Sequence, residues 1–466
     1  MSKKNETVVL ALALILTTGL AGGGIWWFAS SSGVKFGGST AQNPESVSNA
    51  SMVERISFGE RTLTPGDVTP AKKEGVQAIA DKSYDQAIAN LEAAIKLKRN
   101  DPEALIFLNN ARIKSGKNYT VVASVPLGTE PNTALEILRG IAQAQNEINS
   151  SGGIKGVPLK VGIANDDDKP EISQQIAANL VKNPDVLGVV GPNASDATLA
   201  AGTIYTKGQL VAISPTSTSV KISNFSRYVF RTVPSDFMAA RSLANYMVKT
   251  LQKKKAAVFF NSQSNYSQSL KSEFVSSVSL EGGQVPSEFD LSKADFSAAQ
   301  SVAQATQQGA EVLMLATNSD SLDKALQVVQ VNQKRLPLLG GDDVYTVKTL
   351  AVGGQQADGM VVAVPWHIDG DSQSDFPQKS RQLWGADVSW RSALAYDAAR
   401  TLIAALESNP TRSGIQQALS SPSFFTTGAS GAIRFLASGD RNAPVQLVKI
   451  IPGNRSRAGY DFQPLR

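Results

Sequence analysis

The 466-residue sequence has no cysteine and a single histidine, His367. Without thiols there is no thiolate zinc site, no cysteine nucleophile, no structural disulfide and no lipidated N-terminal cysteine. A Ser-His-Asp triad would have to be built on His367, and no nucleophile-elbow motif accompanies it, so this histidine reads as a surface or loop residue. Phosphate-cradling P-loops, dinucleotide fingerprints and metal-spaced histidines are also missing, so no cofactor and no metal is expected. Charge is sparse: 18% of residues are charged, and 45 Lys and Arg against 40 Asp and Glu leave a net +5. The basic residues are scattered, as in Lys253 to Lys255 and Arg231, and form no patch interleaved with aromatics, which argues against nucleic acid as a partner.

One long hydrophobic run is present. After Lys3 and Lys4 the chain is uncharged from Thr7 to Ser32 and includes Leu14-Ile15-Leu16 and Ile25-Trp26-Trp27-Phe28. Roughly 20 apolar residues at about 1.5 Å per residue cross a ~30 Å hydrocarbon layer. Residues 1–32 are therefore expected to form a transmembrane anchor with its N-terminus in the cytoplasm, or alternatively a signal segment cleaved after Ala21 or Ala29. Either way the bulk of the chain would lie outside the cytoplasm, in the periplasm.

Residues 33–69, rich in Ser, Gly, Asn and Pro, read as a flexible linker. Within 70–116, Val76, Ile79, Ala80, Ala87, Ile88, Leu91, Ala94 and Ile95 recur at helical spacing, and Asp101-Pro102 opens a second pattern through Leu105, Leu108 and Ala111. Two or three helices are expected. Gly75, Tyr84, Ala87, Ala94 and Pro102 resemble a single tetratricopeptide repeat. A lone repeat buries its faces poorly, so this one should pack on another surface, a second copy or a protein partner, as a spacer or a docking module.

From Tyr119 onward, short runs rich in β-branched residues alternate with amphipathic helical stretches. The runs are Thr120 to Val125, Leu159 to Ile163, Val186 to Val190, Val211 to Ile213, Ala256 to Phe260, Val312 to Leu315 and Met360 to Val364. Such alternation means an α/β fold with parallel sheets and crossover helices, and the length of the region implies two lobes.

In open parallel sheets ligands lie beyond the carboxyl ends of the strands. Two hydroxyl-rich turns follow strands in the first half: Gly191-Pro192-Asn193-Ala194-Ser195-Asp196-Ala197-Thr198 and Ser214-Pro215-Thr216-Ser217-Thr218-Ser219. Hydroxyls and free N–H groups at a helix start can hold a carboxylate, although the same residues also serve as ordinary caps and turn formers. In the second half, Gly340-Gly341-Asp342-Asp343 follows another strand. An acid there could hold an ammonium, or cap a helix near Tyr345 to Leu350. Carboxylate-binding hydroxyls in one half and an acid in the other would together define a zwitterion.

With these blocks in order, the region from Tyr119 to the C-terminus resembles the type I periplasmic binding proteins of the leucine/isoleucine/valine-binding class, receptors of ABC importers. The resemblance rests on Pro126-Leu127-Gly128, Glu147-Ile148-Asn149, Gly152 through Gly156, Asp166-Asp167, Val189 through Pro192 with Ser195, and Ile213-Ser214-Pro215. Downstream it continues with Phe230-Arg231-Thr232, Ser235-Asp236, Asp295-Phe296, Ala395-Tyr396-Asp397-Ala398, Gly428 through Gly431, Ile433, Phe435 and Gly439-Asp440-Arg441.

The resemblance implies a two-lobed type I solute-binding domain over 117–466. Its crossings fall near Ser235, Pro365 and Asp440, giving lobe 1 about 117–235 and 366–440 and lobe 2 about 236–365 and 441–466. By position, Ser195, Thr216 and Thr218 would bind a ligand carboxylate and Asp342 its ammonium, with Asp343 as the rival. Tyr266 stands where the family often has a Tyr-Gly pair, with Ser267 replacing the glycine. Asn318, within Thr317-Asn318-Ser319-Asp320, stands where an aromatic is usual, which points to a more polar pocket.

The expected function is an extracytoplasmic receptor that closes on an amino acid or related amide or acid and serves an ABC permease. A membrane-anchored sensor or scaffold ectodomain is the alternative. An enzyme working through Asp166 to Asp168 or Asp342 and Asp343 is disfavoured, because neighbouring aspartates in one turn diverge instead of opposing each other across a substrate.

Overall fold

The computed structural model describes residue 52 and residues 54–370 and 374–465. The apolar run expected to anchor the chain lies outside these. Among the described residues no helix is long and apolar enough to cross a membrane.

Two sheets organise the chain, each flanked by helices, and they make two lobes. In the first lobe six strands lie in the spatial order Ile56–Ser57, Leu159–Asn165, Tyr119–Val125, Val186–Val190, Val211–Ser214 and Val229–Arg231. All neighbours are parallel except the first pair, in which Ile56 faces Ala164. The second sheet has seven strands in the order Tyr460–Pro464, Gln446–Pro452, Val361–Val364, Leu338–Gly340, Val312–Ala316, Lys255–Phe260 and Gln284–Asp290. Its five strands from Val361–Val364 to Gln284–Asp290 are parallel, and the C-terminal hairpin joins antiparallel beside Val361–Val364. Strands buried on both faces read as continuous apolar runs, as in Val312–Ala316, where every residue is buried.

The chain passes from the first sheet to the second after Arg231, returns after Val364, and enters the second sheet again at Gln446. Two buried ion pairs secure these passages. Arg231 binds Asp440 at 2.6 Å. Arg441 binds Asp397 at 2.8 Å, and Asp397 also accepts the Ala429 N–H at 2.6 Å. His367 sits in the second passage and is buried, 3% exposed, rather than on the surface. Its ring meets Tyr345 edge-on, with centroids 6.0 Å apart, and its Nδ1 accepts the Asp369 N–H at 3.2 Å.

The helical stretch forms three helices, Pro70–Ala80, Tyr84–Leu97 and Pro102–Ile113. Thr69 and Asp101 cap the first and third by accepting N–H bonds from Lys72 and Ala104, and proline opens each, where its missing N–H costs nothing. These helices do not stand apart from the lobes. The third is buried from Pro102 through Ala111 and packs on the helix Pro131–Ser150 of the first lobe.

Asn110 is the fastening. Its amide donates to Val161 O at 2.7 Å and Phe58 O at 2.9 Å, and its oxygen accepts from Val161 N at 3.1 Å and Gln145 Nε2 at 2.8 Å. One side chain thus stands in for a neighbouring strand and closes the sheet edge just past Ser57. Residues 54–69, which the sequence reads as the end of a flexible linker, are likewise built into the first lobe. Ile56–Ser57 is a strand of its sheet, and Glu103, wholly buried, accepts the N–H groups of Leu63 at 2.6 Å and Thr64 at 3.1 Å.

Candidate functional site

The carboxyl ends of the parallel strands in both sheets open onto the space between the lobes. After Val190, Gly191 adopts φ +117°, and a Cβ there would fall 2.2 Å from Ser124 O, so only glycine lets this turn lie against the neighbouring strand. Asp168 shapes the same turn, accepting from Asn193 Nδ2 at 2.7 Å and Ala194 N at 2.9 Å. Ser195 then begins the helix Ser195–Lys207, and its hydroxyl accepts the Ser219 N–H at 3.3 Å.

The second hydroxyl turn is moulded by Arg231, whose guanidinium donates to Ser219 O at 2.9 Å and Ser217 O at 3.3 Å. Thr216 donates its hydroxyl to Asn193 O at 2.9 Å, so it ties the two turns together. Thr218 is different: its Oγ1 is buried beside the Asp236 carboxyl instead of tying the turns together.

Facing these turns, the second lobe presents the helix Asn265–Leu280 and the turn after Leu338–Gly340. Tyr266 donates its hydroxyl to Asp342 at 2.6 Å. A Cβ on Gly341 would lie 2.5 Å from that hydroxyl, which is why glycine precedes the acid. Asp342 caps no helix; Thr346 does, accepting from Thr349 N at 3.1 Å. The two adjacent acids diverge: Asp343 pairs with Arg391 at 3.2 Å, while Asp342 has no cationic partner among the described residues. Asn318 is committed to its own loop, accepting from Asn261 at 2.9 Å and Ser321 at 2.7 Å and donating to Asp320 at 3.1 Å.

The lobes touch along this cleft. Asp196, at the start of a first-lobe helix, accepts the Asn265 backbone N–H at 3.1 Å and so caps the second-lobe helix that carries Tyr266. Val220 N donates to Ser269 Oγ at 3.0 Å, Lys221 reaches Asn265 Oδ1 at 2.5 Å, and Arg391 from the helix Trp390–Ser408 crosses to Asp343.

Burial sets the electrostatics. The Asp342 carboxyl is pushed up to about 8 by desolvation and by the Asp343 charge, against the Tyr266 hydrogen bond. Asp236, at the crossing between lobes, is pushed up to about 7 by desolvation, and the nearby hydroxyls of Ser269 and Thr218 hold it from rising further. Desolvation also raises Glu130, Asp168 and Asp343. Asp166, pushed up to about 6 by burial, is held by the Ser124 hydroxyl at 2.6 Å.

Sequence reasoning had not singled out Asp236, Arg391 or Glu130 as site residues. Asp236 offered a signal, as an acid opening a helix right after the first passage; the other two offered none. Among the described residues no group of His, Asp and Glu is arranged to hold a metal ion. A groove in the second lobe lined by Phe296, Leu326, Val331 and Val352 includes none of the predicted site residues.

A family model described as "Periplasmic binding protein" matches residues 128–455, well over half of the chain. The chain belongs to the periplasmic binding proteins. This is a family of binding proteins, and the two-lobed cleft is its architecture.

Among solved structures, a leucine binding protein from Thermotoga maritima superposes with a TM-score of 0.65 at 22% identity, over 74% of this chain and 97% of that one. A solute-binding protein from R. palustris in complex with 4-hydroxybenzoate superposes with a TM-score of 0.64 at 16% identity, over 74% of this chain and 96% of that one. At such identities the likeness is one of fold. In sequence, the leucine-specific-binding protein of Salmonella typhimurium is 25% identical over 236 residues, 50% of this chain and 63% of that protein. An amino acid binding protein of Pseudomonas aeruginosa is 30% identical over 150 residues, 32% of this chain and 40% of that protein. The chain thus matches less than two thirds of the length of either relative.

Proposed function

We propose that the protein is an extracytoplasmic receptor that closes around an amino acid or similar small polar ligand and serves an ABC importer. One observation carries this reading. Hydroxyl turns carrying Ser195 and Thr218 and the buried Asp342 carboxyl, brought by different sheets, come together where the lobes touch, and among the described residues no cation is ion-paired with Asp342.

A zwitterion spanning the cleft would put its carboxylate at Ser195, Thr218 and the N–H groups opening the helix Ser195–Lys207. Its ammonium would lie at Asp342, oriented by Tyr266. Asp343 is the weaker candidate for that role because Arg391 already occupies it. Thr216 and Asn318 then act by shaping the loops rather than by touching ligand. The names of the relatives, which bind leucine and amino acids, point the same way.

A ligand that bonds both lobes favours the closed arrangement by its differential affinity, and a permease can read the closed shape. In this reading the lobes comprise about 117–235 with 366–440 and about 236–365 with 441–466. The N-terminal apolar run holds the receptor at the membrane, and the tetratricopeptide-like helices serve as a spacer fused to the first lobe, with the face away from the lobe left for a protein partner.

The test is a thermal-shift screen of the twenty amino acids on the purified chain. A ligand at 100 times its Kd stabilises by about 2.7 kcal/mol, so at least one clear rise in Tm is expected. A flat response to all twenty would sink the amino-acid reading.

A further inference from the structure

The short strand Ile56–Ser57 brings its leading residue to the ligand edge of the first lobe for a topological reason. It runs antiparallel to Leu159–Asn165, with Ile56 opposite Ala164, so the residue before it stands at the carboxyl end of its neighbour. That residue is Arg55. Its carbonyl accepts the Asn165 N–H at 2.9 Å, and its guanidinium donates to Asn165 O at 3.2 Å and to Asp167 Oδ2 at 2.7 Å.

Asp167 and Asp168 follow that neighbour strand in the left-handed backbone conformation, each at φ +53°, which an L residue keeps when bonds hold it there. The bonds are specific, and they run to the ligand side. Asp167 Oδ1 accepts the Gly128 N–H at 3.1 Å and its carbonyl accepts the Thr129 hydroxyl at 2.9 Å, which fastens the loop after Tyr119–Val125. A Cβ on Gly128 would fall 2.3 Å from that Oδ1, so glycine is what admits the carboxylate. Asp168 fastens the next loop through Asn193 Nδ2 and Ala194 N, immediately before Ser195. Asn193 O in turn accepts the hydroxyls of Thr216 and Ser217 at 2.9 and 2.8 Å, so the hold extends to both hydroxyl turns.

Arg55 is the outer anchor of this series. The Asp167 side chain is only 11% exposed, and Arg55 is the cation ion-paired with it. Without the guanidinium a largely buried carboxylate loses its counter-charge, and the least costly relief is for the turn to swing toward water. That movement releases Gly128 and Thr129 directly and displaces the adjacent Asp168 from the loop it fastens.

We propose that Arg55 is a positioning residue: by holding Asp167 it keeps the turn at 166–168 in the form that fixes residues 193–195 and hence the hydroxyl turns. Its consequence for binding rests on the receptor reading above. The segment joined to the lobe from its N-terminal side thereby sets the geometry of the carboxylate subsite without touching ligand.

The experiment is amide hydrogen exchange on the purified full chain carrying Arg55→Met, Arg55→Lys, Asp167→Asn, or Arg55→Met together with Asp167→Asn. Arg55→Met is expected to quicken exchange at Gly128 and Ala194 by about five-fold or more, while Val189, buried within the strand Val186–Val190, keeps its native rate. Arg55→Lys, which retains the charge, should recover most of the protection. With Asp167→Asn in place there is no carboxylate to neutralise, so adding Arg55→Met should change Ala194 by less than about two-fold. Native exchange at Ala194 in Arg55→Met, or equal quickening at Val189, would overturn the proposal, the second because it marks a general loss of stability. Thermal shifts with the twenty amino acids, read on native and Arg55→Met chains, test the consequence: each amino acid that raises the native Tm should bind the variant about three-fold more weakly or worse, and equal affinity would overturn the proposal. A native protein that answers none of the twenty would sink the receptor reading, while exchange at Ala194 still decides whether Arg55 holds the turn.

Discussion

Asp342→Asn should move two measurable quantities in opposite directions. Asparagine keeps the shape of the side chain and an oxygen to accept the Tyr266 hydroxyl, now 2.6 Å away, but removes the charge. In the free protein that charge is a liability. The carboxyl titrates at about 8 in the folded state, against an ordinary aspartate value near 4. As pH rises from about 4 to 8 the unfolded chain releases its proton while the folded chain keeps it, so folded stability falls across that window. At about 1.4 kcal/mol per unit the penalty at pH 7 has a ceiling of roughly 4 kcal/mol, shared with Asp236 and Asp343, which push on the same charge. The substitution is therefore expected to raise the Tm of the ligand-free protein by several degrees at pH 7.5 and to leave it nearly unchanged at pH 4.5.

Binding should weaken at the same time. Losing one charge-assisted hydrogen bond costs about 1.5–3 kcal/mol, roughly a ten- to 150-fold loss of affinity. The pairing of higher stability with lower affinity is what a site tuned for a guest produces. Scanning fluorimetry across pH, with titration of L-lysine and L-leucine, reads both. A lower Tm at pH 7.5 with unchanged affinity would show that Asp342 is a structural acid and refute the reasoning.

Thr218→Ala removes a hydroxyl that sits against the buried Asp236 carboxyl, and affinity should fall by about 1–3 kcal/mol; Ser195→Ala should weaken binding similarly but also release the Ser219 N–H. Unaltered calorimetric affinity in both would move the carboxylate subsite elsewhere. Asn110→Ala strips four hydrogen bonds from the junction of the helices and the sheet edge, and amide hydrogen exchange at Val161 should quicken at least ten-fold; protection equal to the native protein's would count against the strand-mimic role. Lys72→Met leaves Asp101 and Glu103, which it now binds at 2.8 and 2.7 Å, as uncompensated buried carboxylates at a cost of about 3–5 kcal/mol. Limited proteolysis should then cut first within 70–97, and a native-like digestion pattern would contradict this.

The turns carrying Ser195, Thr218 and Asp342 were legible because each follows a β-branched apolar run, and in a parallel sheet the loop after a strand faces the ligand side. The helices Pro70–Ala80 and Pro102–Ile113 were legible for a similarly local reason: a capping residue followed by proline marks a helix start in consecutive positions. The short strand Ile56–Ser57 gave no signal, since two residues in a Ser- and Gly-rich stretch show no period, and only pairing with Leu159–Asn165 makes them a strand.

Composition, the α/β alternation and the order of the turns were thus determined along the chain, because strand period, capping and loop chemistry depend on residues a few positions apart. The three-dimensional packing alone decided which groups confront each other: Arg391 meets Asp343 across 48 positions, Asp196 caps a helix 69 positions on, and Asn110 completes a strand edge 51 positions away. Charge pairing and desolvation are properties of such distant neighbours, and so among the described residues Arg391 is ion-paired with Asp343 and not with Asp342, though the two acids stand side by side in the sequence.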